Sequence, residues 1–78
     1  MGIKPNDIYA VLSPIYTRHF GEDSVQRMSR LLSDRLNMGD ISERQQVQNY
    51  IWNWYPGGTT AEHASEKLME AFPDYIKE

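Results

Sequence analysis

The chain has 78 residues, no cysteine and a formal net charge of −3. That length gives one small domain, residues 1–78, with room for a single core. The missing thiols exclude disulfides, thiolate metal sites and thiol catalysis. No run of about eighteen apolar residues occurs, so no segment reads as a membrane span. The opening MGIKPNDIY lacks the basic and apolar regions of a secretory leader. Asn6 stands where a myristoylated Gly2 would need Ser or Thr. A cytoplasmic location is the default expectation. Charge is unevenly spread: residues 1–38 carry five basic and four acidic groups, residues 39–78 three basic and seven acidic. Such polarity bears on partners rather than on fold.

The first element is predicted over 6–20. Ile8, Val11, Leu12, Ile15, Tyr16 and His19 recur at helical spacing and cover an arc of about 140°, the width of a core-facing stripe. Pro14 interrupts it. Ser13-Pro14 can begin a new helix, but the stripe keeps its phase across Pro14, and the carbonyl left unpaired at Ala10 faces away from the stripe. One helix bent at the proline is therefore favoured over a break, and Gly21 ends it. His19, on this stripe, is expected to be partly buried.

A second helix is predicted over 23–37, with Val25, Met28, Leu32 and Leu36 on one face and Leu31 widening it. Arg27, Arg30 and Asp34 lie on the far side, where Arg30 and Asp34 have the spacing of a helical ion pair. The turn NMGD leads to a third helix over 42–55, with capping boxes available from Asp40 with Glu43 or Ser42 with Gln45. The break YPGGTT follows. Thr59 with Glu62 then caps a fourth helix over 60–72, whose Ala61, Ala64, Leu68, Met69 and Phe72 face inward until Pro73 stops it. Tyr75 and Ile76 fold back as a last turn. The expected architecture is a compact all-α domain of four helices with short connections.

The third helix raises the functional question. NYIWNWYPGG holds four of the chain's nine aromatic residues within six positions. Tyr50, Trp52 and Trp54 alternate as strand residues do, but no second strand is present to pair with them, so a helix is expected. On a helix Val47, Ile51 and Trp54 lie within about 60° of one another, with Tyr50 beside them. Tyr50 and Trp54 thus read as core. Trp52 lies about 140° from Val47, on the side of Gln45 and Gln48, and Tyr55 is marginal at about 80°. Trp and Tyr are enriched among binding hot spots, so Trp52 with Tyr55 is the expected anchor for a protein partner.

Charged ridges accompany that anchor. Glu62, Glu66 and Glu70 recur every four residues on the fourth helix, and Arg27 with Arg30 marks the second. They suit electrostatic steering of a partner or self-association between copies. The expected function is a non-enzymatic protein-interaction module: a small adaptor, regulator or inhibitor. The alternative is a helix-turn-helix DNA binder. There Arg44, Gln45, Gln48 and Asn49 of the third helix would reach base edges, and Arg27 and Arg30 the phosphates. The acidic balance and the length of the second helix weigh against it.

Chemistry has little support. His19 and His63 lie on different segments without zinc-ligand spacing. Ser13, His19 and Asp23 are residue types of a nucleophilic triad, but only geometry makes a triad. Pro56-Gly57-Gly58 precedes a helix start without the lysine of a phosphate loop. No catalytic, cofactor-binding or metal-binding residue is assigned, and no cofactor is expected.

Overall fold

A computed structural model describes residues 2–78. Four helices follow in order: α1 Pro5–Phe20, α2 Glu22–Met38, α3 Arg44–Trp54 and α4 Gly58–Ala71. Each start has a local cause. Pro5 occupies the first position of α1, where its missing N–H costs nothing, and Asp7 accepts the Lys4 N–H at 3.2 Å. α1 runs unbroken through Pro14, and the Thr17 hydroxyl donates to the Ser13 carbonyl at 2.6 Å in the turn after the proline.

Gly21 both ends α1 and begins α2. Its φ of +88° permits this one-residue reversal, and a side chain there would be strained. α2 closes on Gly39 at φ +82°. The Asp40 N–H donates to Arg35 O and the Gly39 N–H to Leu36 O, a Schellman arrangement. The Asn37 side chain, near the end of α2, grips Ile3 through two hydrogen bonds of 2.9 Å. The start of α1 therefore lies beside the end of α2, and the pair is antiparallel.

The capping of α3 differs from expectation. Glu43 is the N-cap, and Gln46 accepts the backbone N–H groups of Ser42 and Glu43 at 2.9 and 3.1 Å. Neither the Asp40–Glu43 nor the Ser42–Gln45 box forms, because the helix begins two residues later than its composition implies. The predicted Thr59–Glu62 box also gives way, since α4 already starts at Gly58. The C-terminal segment returns to the entrance of α3. Ile76 is buried, the Lys77 N–H donates to Ser42 O at 2.8 Å, and the Arg44 N–H donates to Lys77 O at 2.7 Å. That last bond satisfies a donor which the helix itself leaves unpaired.

α1 packs on α2 and α3 on α4, and contact of α1 with α4 joins the two pairs. The core they enclose is built on Ile8, Leu12, Tyr16, Val25, Met28, Leu32, Val47, Ile51, Ala61, Ala64 and Leu68. Three serines are buried with it: Ser29 and Ser33 on α2, and Ser65 on α4. The buried face of α2 turns toward its serines, which leaves Leu31 exposed rather than widening the core. His19 is exposed too. The last turn of α1 buries nothing on the His19 side, and it is Phe20 that reaches the ring of Tyr55. Arg30 and Asp34 do not pair. Among the described residues the ion pairs are Arg35 with Asp40 at 3.9 Å and Arg44 with Glu78 at 3.4 Å. No helix among these residues is long and apolar enough to cross a membrane.

Candidate interaction surface

The two aromatic residues expected to act together are separated by the fold. Trp52 is 55% exposed and Tyr55 only 3%. The helical angle misplaces Tyr55 because α3 has already ended. Tyr55 is its C-cap, with φ −133° and ψ 137°, and the extended backbone turns the ring inward. The ring stacks on Tyr16 at 4.7 Å and on Phe20 at 4.4 Å. Its hydroxyl shares a 2.8 Å hydrogen bond with that of Ser24. Tyr55 thus ties the end of α3 to α1 and α2, and it offers no ring to a partner. Tyr50 and Trp54, expected in the core, are half-buried against its edge. Beside Tyr55, burial first and the neighbouring phenol second push the Tyr16 hydroxyl up to about 12. That hydroxyl has no hydrogen-bond partner among the described residues.

Trp52 is exposed but not free. A Cβ built on Gly58 would sit 3.6 Å from its Cζ2 and 3.7 Å from its Cε2, so the indole lies along the bare backbone at the start of α4. Gly57, at φ +101°, makes the turn that brings α4 under the ring. The other end of the α3–α4 seam is closed by Arg44. Its guanidinium donates to Gln48 Oε1 at 2.7 Å and Ser65 Oγ at 3.3 Å, and pairs with Glu78. Ser65 Oγ in turn donates to Glu62 O at 2.7 Å. The indole thus rests against α4 at one end of the seam, and Arg44 closes the other.

Glu62 follows Gly58 by one turn on the same side of α4, so the acidic ridge begins next to the tryptophan. Glu62, Glu66 and Glu70 are all exposed, and among the described residues none belongs to an ion pair. Arg27 and Arg30 are exposed on α2, a helix that packs on α1. The residues of the DNA reading are occupied within the chain. Arg44, the one basic residue of α3, is held by three side chains, and Gln45 donates to Asn49 at 3.2 Å.

No protein family, curated protein or solved structure matches this chain.

Proposed function

We propose that the chain is a non-enzymatic protein-interaction module, an adaptor, regulator or inhibitor, with Trp52 as its anchor. The observation that carries this reading is a large aromatic ring that is exposed yet seated on Gly58. Ordering a free side chain on binding costs about 0.5–1.5 kcal/mol, and a ring already seated avoids much of that cost. Tryptophan is also the residue type most enriched among hot spots worth about 2 kcal/mol or more. The adjoining Glu62, Glu66 and Glu70 favour a partner with a positively charged face and speed its approach.

The test compares tagged wild-type chain with Trp52→Ala in nuclease-treated native lysate. The variant keeps its helicity and loses proteins that the wild type retains, with affinity reduced about thirtyfold or more. Identical captured sets, or a variant that unfolds, would remove the basis of the proposal. The DNA alternative predicts duplex binding at low salt that falls on Arg44→Ala. With Arg44 engaged inside the chain, no such binding is expected.

A further inference from the structure

A second surface feature has nothing to do with Trp52. Between α1 and α4 lies an open groove of about 510 Å³, lined by Ala10, Val11, Pro14, Ile15, His63 and Lys67. This volume falls in the range of ligand-accepting clefts, about 300–1,000 Å³. Its floor is apolar, from half-buried Val11 and Ile15 and the ring of Pro14. Lys67 stands on its rim without an ion-pair partner among the described residues.

The chain also carries a shape that suits this groove. On the outer face of α2, Leu31 is 37% and Met38 74% exposed. They are seven residues apart and so lie on one line two turns long. Asp34 falls between them in height and about 40–60° to one side, and Arg30 lies about 40° further round on that side. On α4 the sequence of chemistry away from the groove is Lys67, then Glu70 about 60° further round. Arg27 lies about 40° from Leu31 on that same side but one turn nearer the start of α2, and His63 about 40° from Lys67 one turn nearer the start of α4. At the height of Asp34 and of Lys67 the surfaces therefore read outward as apolar then acid on α2 and apolar then base on α4, with Arg30 and Glu70 beyond. Asp34, Arg30, Lys67 and Glu70 are all exposed and outside the ion pairs among the described residues.

We propose that the groove between α1 and α4 receives the outer face of α2 from a second copy of this chain. Leu31 and Met38 enter the groove, Asp34 meets Lys67, and Arg30 meets Glu70. The surfaces differ, so the contact is head-to-tail, and each added copy presents a fresh groove. Its small size makes it weak and reversible, in the manner of transient interfaces under about 1,200 Å².

Sedimentation velocity across a concentration series reaching millimolar, at low salt, reads the contact directly. The average mass rises with concentration and passes beyond that of a dimer. Met38→Glu abolishes the rise. Asp34→Lys and Lys67→Glu each weaken it about threefold or more, and the double variant recovers it because the charges are exchanged. All three sites are exposed, so circular dichroism stays unchanged and loss of fold is not the cause. Trp52→Ala leaves self-association intact, which separates this contact from the anchor proposed above. A mass that stays monomeric to millimolar overturns the proposal. So does association that Met38→Glu leaves untouched, or single-charge losses that the double variant does not recover.

Discussion

Tyr16 and Tyr55 stack face to face, yet their hydroxyls have opposite surroundings, so one substitution should act in opposite directions at the two sites. Tyr55 bonds Ser24 at 2.8 Å, whereas the Tyr16 hydroxyl is buried with no partner among the described residues. An unpaired buried polar group costs about 1–3 kcal/mol, and a typical hydrogen bond contributes about 1 kcal/mol net. Tyr16→Phe keeps the ring and its 4.7 Å stack while removing the stranded oxygen, and should stabilise the domain by about 1 kcal/mol. Tyr55→Phe breaks a made bond and should cost about 1 kcal/mol. For a chain this short each change moves Tm by roughly 4–8 °C, upward for the first variant and downward for the second. Calorimetric melting with a urea titration at constant m-value reads both. A Tyr16→Phe variant that melts as low as Tyr55→Phe would refute the reasoning and reveal an unseen partner for the Tyr16 hydroxyl.

The raised pKa of Tyr16 adds a pH dependence. The folded state holds the phenol proton up to about pH 12 while the unfolded chain releases it near its ordinary value of 10. Stability from this residue is complete below pH 10 and is lost as pH rises through about 12, and Tyr16→Phe should lose less over that interval than wild type. Asn37→Ala removes both bonds to Ile3, and should cost about 1–2 kcal/mol, with faster amide exchange at Ile3 as its local signature. Replacing Glu62, Glu66 and Glu70 together by Gln should slow association with the captured partner and flatten its salt dependence, leaving dissociation nearly unchanged. Stopped-flow binding at two ionic strengths distinguishes these rates.

The helices were legible because each carries an apolar stripe at period 3.6 and ends at a glycine or proline. The passage of α1 through Pro14 could be read because the stripe keeps its phase there. Tyr55 was misread for a definite reason: helical angles apply only inside a helix, and this residue takes extended geometry just past the end of one. Ile3 and Ile41 are buried although they sit outside every periodic segment. Ile3 is fixed by Asn37 across the fold, and Ile41 follows the Schellman turn at Gly39. Neither long-range grip leaves a local pattern. Leu31 was lost to Ser29 and Ser33, since a hydropathy pattern does not foresee that buried serines turn the face of α2. The exposure of Trp52 did follow from its angle. Its seat on Gly58 did not, because that seat depends on how α4 returns beneath α3.

An exposed indole seated against Gly58 is the feature on which the proposed interaction rests. With Trp54→Phe, Trp52 becomes the only indole, and acrylamide quenching can be combined with time-resolved anisotropy of its emission. Ready quenching, together with depolarisation at the tumbling rate of the whole domain, is the predicted result. Protection from the quencher, or fast depolarisation from a freely swinging ring, would contradict it.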